Sequence, residues 1–286
     1  MIHNGEISYE QKALEWWQAV LLAVALFFLG ILVLSALSFF LHQRVAALIM
    51  ELCVYFLPAA VIVHVLKLRS AGVGRIRRLA DLRLILLIPI AGLGWAAAVT
   101  PLVEVAHSVY PIPKIILDSL VTLMMADTVP EFIWVVFLIA LVPAVAEELV
   151  FRGIVQPALI VRFGPIAGIG LTSLVFATIH LNPWSFGPLL ILGTFFGIVS
   201  YKIGTFWAGA LAHFGNNLLA LATLNSIRAV DYTSLTETTP WYIFVPGLIA
   251  AIGGTLIIAR RKSDGSSPTD EDSGTIALTN EPVDTI

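Results

Sequence analysis

The sequence has little charge and almost no cysteine. Only 12% of its 286 residues are Asp, Glu, Lys or Arg, and the formal net charge is -3. No basic patch lies outside the short loops, so a nucleic-acid partner is not expected. The single thiol, Cys53, cannot build a disulfide framework or a metal site of several cysteines.

Long apolar segments make up most of the chain instead. Its residues are 58% hydrophobic, with a mean hydropathy of +0.93. Several runs reach the roughly 20 residues that a helix needs to cross a bilayer. The first run is too long for the core of a cleaved signal peptide, so we interpret it as a retained span. The sequence therefore predicts an all-α, polytopic transmembrane helix bundle of about eight spans, at 16–40, 46–66, 84–103, 131–161, 164–181, 185–202, 205–224 and 241–259.

Basic residues predict the orientation of this bundle. The loop between the second and third spans carries the densest cationic cluster: Lys67, Arg69, Arg75, Arg77, Arg78 and Arg83. Cytoplasmic loops are rich in Lys and Arg, so this loop and both termini are predicted to be cytoplasmic. We expect an integral multi-pass protein, in contact with the lipid bilayer of a bacterial-type cell membrane.

The same pattern divides the chain into four parts. Residues 1–130 would hold three spans and an interfacial segment at 115–126, and residues 131–224 would form the core. Residues 225–262 would contain the last loop and span. The tail 263–286 is polar and acidic, and it is predicted to be a disordered cytoplasmic segment.

Two adjacent glutamates interrupt the fourth apolar run, in the stretch VPAVAEELVFRG. Glu148 and Arg152 lie four residues apart, in the favourable order for an ion pair on one helix face. Glu147 is rotated by about 100° from Glu148. We therefore expect Glu148 and Arg152 to neutralise each other and Glu147 to remain a free carboxylate in a cavity.

Two further pairs of residues share a helix face, Phe176 with His180 and His213 with Asn217. At ~1.5 Å per residue, Glu147 and His180 lie roughly 24 and 25 Å from the turn that joins their spans. On the same rise, His213 and Asn217 lie roughly 16 and 22 Å along theirs. The four polar side chains can therefore converge within one bundle.

Such a cluster has two chemical interpretations. A carboxylate beside an imidazole can take a proton from water, and a second imidazole with an amide can stabilise an oxyanion. Alternatively, Glu147, His180 and His213 could bind zinc and leave one position for water. The residues leave both a metal-independent glutamate mechanism and a zinc mechanism open.

Taken in order, the motifs EExxxR, FxxxH and HxxxN resemble the CPBP family of intramembrane proteases, which includes the CAAX prenyl endopeptidase type 2 and bacteriocin-processing (Abi) proteins. The resemblance covers about 131–224. It implies an endopeptidase that acts on a peptide or protein tail. Glu147 and His180 would activate the attacking water, and His213 with Asn217 would stabilise the oxyanion.

The resemblance also implies supporting roles, in which Glu148 and Arg152 brace their helix and Phe176 packs under the site. Two alternatives remain beside the protease. Buried acids and histidines also mark proton pathways, so a proton-coupled transporter is one. A non-catalytic membrane partner or immunity protein that keeps the motifs for packing is the other.

Overall fold

The computed structural model describes residues 14–65, 82–226 and 239–260, and within them every regular element is a helix. The α-helices are α1 (Trp16–Ser38), α2 (Gln43–Met50), α3 (Leu57–Val65), α4 (Leu82–Val109), α5 (Lys114–Met124), α6 (Val129–Val135), α7 (Val142–Val150), α8 (Gln156–Ile179), α9 (Phe186–Ile203), α10 (Phe206–Ser226) and α11 (Trp241–Ala259). Three π-helical turns join some of them: π1 (Glu51–Phe56), π2 (Val136–Leu141) and π3 (Phe151–Val155). The prediction of an all-α protein is confirmed.

Six helical segments of the described chain are long and apolar enough to cross a membrane. One of them, Val129–Ile179, has 51 residues, which at ~1.5 Å per residue is more than twice the thickness of the hydrocarbon core. It breaks at Gly164, where φ is 80° and ψ is 168°. This positive φ is one that glycine adopts without steric cost. The break separates the two predicted spans 131–161 and 164–181.

Helix α10 has 21 residues but is not among the six. It carries His213, Asn216 and Asn217, which lower its hydropathy. The count of eight spans therefore stays a prediction. So does the cytoplasmic position of the termini, because residues 66–81 of the basic loop and the tail 263–286 lie outside the described residues.

Most predicted spans agree with helices to within a few residues. The largest difference is α4, which continues to Val109 where the prediction ended at residue 103. The segment predicted as an interfacial helix at 115–126 contains α5, and none of its residues is buried. The four-part division of the chain remains a prediction.

Two large apolar cores and one smaller cluster, around Val135, Ala140 and Leu221, hold the described helices together. The first joins α1, α3 and π1 to α7, π3 and α8, and the second joins α4 and α9 to α10 and α11. Helices α4 and α10 cross so closely that a Cβ on Gly215 would collide with the carbonyl oxygen of Pro89. Such close approach at small residues is typical of helix packing in membranes. The close packing of α4 against α10 fixes the position of α10, so that His213 lies at the boundary between the two large cores.

Candidate active site

Glu148 and Arg152 form a buried ion pair at the centre of this boundary. Arg152 Nη1 lies 2.7 Å from Glu148 Oε1, and both side chains are fully buried. The other terminal nitrogen, Nη2, donates a hydrogen bond of 2.7 Å to the carbonyl oxygen of Gly193 in α9. The guanidinium group also lies 5.1 Å from the ring centroid of Phe176 and 5.7 Å from that of Phe196. Arg152 therefore connects the α7–α8 segment to α9 by charge, hydrogen bond and cation–π contact.

His213 joins the same carboxylate from α10. Its Nδ1 lies 3.2 Å from Glu148 Oε1, and its ring stacks on Phe196 with centroids 5.0 Å apart. Because a carboxylate that pairs with Arg152 accepts hydrogen bonds, His213 Nδ1 carries the hydrogen in this contact. The ring orientation of His213 is thus held by Glu148, a contact that the sequence motifs did not predict.

Glu147 and His180 face each other across a gap. Glu147 Oε2 lies 3.8 Å from His180 Nε2, and the two side chains are 17% and 31% exposed. His180 Nδ1 lies 2.6 Å from the carbonyl oxygen of Phe176, so Nδ1–H donates there and Nε2 is left with its lone pair. A separation of 3.8 Å is too long for a direct hydrogen bond, and Glu147 Oε2 has no hydrogen-bond partner among the described residues. The two atoms are therefore free to bind one water between them.

Asn217 lies one turn beyond His213 on α10 and faces π2. Its Nδ2 donates a long hydrogen bond of 3.5 Å to the carbonyl oxygen of Ala140, and its Oδ1 accepts from Asn216 at 3.0 Å. No hydrogen bond joins Asn217 to Glu147 or His180 in the described part of the chain. The Asn217 amide is thus held to the backbone of π2 by only one long hydrogen bond.

The sequence interpretation missed several residues around this site. Gln156 donates a hydrogen bond of 3.0 Å to the carbonyl oxygen of Gly197, and its four-residue spacing from Arg152 would have indicated the shared face. The Ser200 hydroxyl and Gly209 lie beside Glu148, where a Cβ on Gly209 would come within 2.5 Å of Glu148 Oε2. Glu51 is buried at 7% exposure. Glu51 is the only acidic residue of the second apolar run, and this isolated charge is the sequence signal that could have identified it.

The zinc alternative does not fit this arrangement. In residues 14–65, 82–226 and 239–260, no group of three or more His, Cys, Asp or Glu is placed to hold a metal ion. Glu147, His180 and His213 are therefore not placed as one ligand set in the described residues, and a zinc-dependent mechanism stays a prediction.

The fold and the site together define an integral membrane protein with acid and imidazole groups buried in a helical bundle. Residues 129–219 match the family model of Type II CAAX prenyl endopeptidase Rce1-like proteins. This match supports membership of the CPBP family of CAAX-type intramembrane proteases, the family that the three motifs resemble. The match begins at the first residue of α6, ends within α10 and includes all the predicted site residues. No curated protein and no solved structure matches the chain.

Proposed function

We propose that the protein is an intramembrane endopeptidase that hydrolyses a peptide bond in a peptide or protein tail, with water activated by Glu147 and His180. The observation that carries this proposal is the 3.8 Å gap between Glu147 Oε2 and His180 Nε2. Both atoms are hydrogen-bond acceptors, and within the described residues neither has a direct hydrogen-bond partner. They contrast with the adjacent Glu148, which is paired with Arg152.

In this mechanism, one water donates hydrogen bonds to the Glu147 carboxylate and to His180 Nε2. The carboxylate takes a proton from the water as its oxygen attacks the carbonyl carbon of the substrate. The Phe176 carbonyl keeps the His180 ring in the required tautomer, because it holds the hydrogen on Nδ1. Glu147 then returns the proton to the amine nitrogen as the carbon–nitrogen bond breaks.

The negative oxygen of the tetrahedral intermediate needs hydrogen-bond donors. We assign this role to His213 and Asn217. Because His213 Nδ1–H is bound to Glu148, the ring can donate from Nε2 only as an imidazolium, whose charge the Glu148 carboxylate stabilises. The Asn217 amide has only a 3.5 Å bond to exchange for the substrate oxygen.

We place the protein in a bacterial-type cell membrane. The substrate class that we propose is a peptide or protein tail. The His180 side chain is more exposed than that of Glu147, at 31% against 17%. Its side of the pair is therefore where we expect a substrate segment to enter.

The test compares membrane proteomes that contain the wild-type protein or the Glu147→Gln variant, by mass spectrometry of newly exposed termini. Asp118→Asn is the matched control, because it makes the same change of acid to amide on the exposed helix α5. We expect a set of termini with the wild type and the control, and none of these with Glu147→Gln. The same termini with Glu147→Gln would reject the proposal and favour the transporter or the non-catalytic partner.

A further inference from the structure

Ser200 is a buried serine of α9 whose hydroxyl has no hydrogen-bond partner among the described residues. The residue is 6% exposed. Buried hydroxyls of the neighbouring helix α8 behave differently, because Thr172 and Ser173 each donate to the carbonyl oxygen four residues earlier, at 2.7 and 2.8 Å. A buried hydroxyl without a partner costs free energy. The Ser200 hydroxyl is therefore available for a contact outside its own helix.

That hydroxyl lies beside the second oxygen of the Glu148 carboxylate. The position that a Cβ on Gly209 would take is 2.5 Å from Glu148 Oε2, and it is as close to Ser200 Oγ. Glu148 Oε2 is also buried and lacks a hydrogen-bond partner in the part of the chain that the structure describes. A buried donor and a buried acceptor thus lie next to each other where α7, α9 and α10 meet, and no direct hydrogen bond joins them.

The Glu148 carboxylate is held through one oxygen only. Oε1 pairs with Arg152 Nη1 at 2.7 Å and lies 3.2 Å from His213 Nδ1. A carboxylate and a guanidinium group frequently pair through both oxygens. That arrangement would turn the carboxylate and draw Oε1 away from His213. The observed orientation, with Oε2 beside Ser200, is the one that keeps Oε1 on both of its partners.

The surroundings of Ser200 are polar enough to bind water. Arg152 and Gln156 donate to the carbonyl oxygens of Gly193 and Gly197, which share a face of α9 with Ser200. Arg152 Nε and Gln156 Oε1 are themselves buried without hydrogen-bond partners among the described residues. Buried water in proteins binds where several such unsatisfied polar groups lie together.

We propose that one water binds between Ser200 Oγ and Glu148 Oε2, and that Ser200 is thereby a positioning residue for His213. The Ser200 hydroxyl donates to the water oxygen, and the water donates to Glu148 Oε2. This bridge holds the carboxylate so that its Oε1 keeps the His213 ring in place. The effect on catalysis rests on the proposed function, whereas the water site does not.

The kinetic test compares Ser200→Ala with the matched control Ser173→Ala in the full-length protein in lipid vesicles. Both changes remove one buried hydroxyl, but that of Ser173 bonds to the carbonyl oxygen of Ile169 in its own helix. The substrate is a fluorogenic peptide that spans a site cleaved by the wild type but not by Glu147→Gln.

We expect Ser200→Ala to lower kcat by roughly 10-fold and to change KM by less than about twofold, because the oxyanion donor is misplaced while the peptide still binds. Ser173→Ala should keep the wild-type kcat. A wild-type kcat in Ser200→Ala, or an equal loss in both variants, would overturn the positioning role.

An NMR measurement tests the bridge without any substrate. In protein with isotope-labelled histidine, the hydrogen on His213 Nδ1 should give a downfield proton signal, assigned by its absence in His213→Asn. We expect Ser200→Ala to move this signal upfield or remove it, because the carboxylate turns toward Arg152. Ser173→Ala should leave it unchanged. An unchanged signal in Ser200→Ala would overturn the inference.

These measurements separate the water site from the proposed function. Cleavage by Glu147→Gln would reject the function, while a His213 signal that depends on Ser200 would still support the bridge. An inactive Glu147→Gln with a Ser200→Ala variant like the wild type in both tests would overturn this inference alone. A high-resolution density map should show the water, and a direct bond between Ser200 Oγ and Glu148 Oε2 would contradict it.

Discussion

Glu147 and Glu148 are consecutive residues of α7, yet their surroundings differ in almost every respect. Glu148 is fully buried, pairs with Arg152 at 2.7 Å and also accepts from His213. Glu147 is 17% exposed and has His180 at 3.8 Å, beyond hydrogen-bond distance. The helix turns by about 100° between them, which directs one carboxylate to α9 and α10 and the other to the end of α8.

The comparison shows how one residue type serves two purposes inside a bundle. A carboxylate such as Glu148, whose Oε1 pairs with Arg152 and accepts from His213, holds helices together, and its removal leaves a partner charge unpaired. A carboxylate left without a direct partner keeps its capacity to accept a proton. The three predictions below contrast the two residues, first by activity and then by stability.

The largest effect is expected at the pair Glu147 and His180. Glu147→Gln and His180→Asn should each lower kcat by roughly 10²- to 10⁴-fold, because each removes one of the two groups that bind the water. The double variant should lose little more than the worse single one, as for groups that act as a unit. Peptide cleavage by the purified protein in vesicles measures this.

Unfolding of the same variants supplies the control. In the wild type, no direct hydrogen bond joins the Glu147 and His180 side chains, because their nearest atoms are 3.8 Å apart. Both single variants should therefore unfold in detergent like the wild type. Losses that multiply in the double variant would show that Glu147 and His180 act independently, against the shared-water mechanism.

The second effect is expected at the pair Glu148 and Arg152. Glu148→Gln or Arg152→Met should each lower the free energy of unfolding by about 3–5 kcal/mol, because each leaves the other charge buried and unpaired. Replacing both by Met should recover part of this loss, since apolar side chains of similar volume often substitute for a buried ion pair. Denaturant unfolding in detergent micelles measures all three.

The Glu148 and Arg152 single variants should lose both activity and stability, whereas Glu147→Gln should lose activity alone. Single variants that unfold within about 1 kcal/mol of the wild type would show that Glu148 is not the structural member of the two.

Much of this contrast follows from spacing alone. The separation of four residues predicted the Glu148–Arg152 pair, and the 100° rotation predicted that Glu147 would point elsewhere. The rise per residue predicted similar heights for Glu147 and His180, and the structure has them 3.8 Å apart. Local helix geometry is sufficient for each of these, because the residues belong to one helix or one hairpin.

Contacts between distant helices could not be predicted in this way. The bond from His213 to Glu148 depends on how α10 is rotated about its axis, which close packing against Pro89 determines. The burial of Glu51 depends on π1, which packs against α7, and a π-helical turn changes which face a helix presents. Spacing within one segment carries no information on either.

The smallest effect is expected at Gly209, which lies against the buried carboxylate. Gly209→Ala would bring a Cβ within 2.5 Å of Glu148 Oε2 and against the Ser200 hydroxyl. Overpacking of this kind costs about 1–3 kcal/mol of unfolding free energy, and it should shift the Glu148–Arg152 pair. Gly170→Ala in α8 is the matched control, because a Cβ there meets nothing within 4 Å.

Because alanine is the better helix former, Gly170→Ala should be neutral or stabilising by up to about 1 kcal/mol. Thermal unfolding of the two variants in one detergent separates crowding from helix propensity. If Gly209→Ala were as stable as Gly170→Ala, the surroundings of Glu148 would yield without cost. The rigid environment that distinguishes Glu148 from Glu147 would then not exist, and the ion pair would be an adaptable contact rather than a brace.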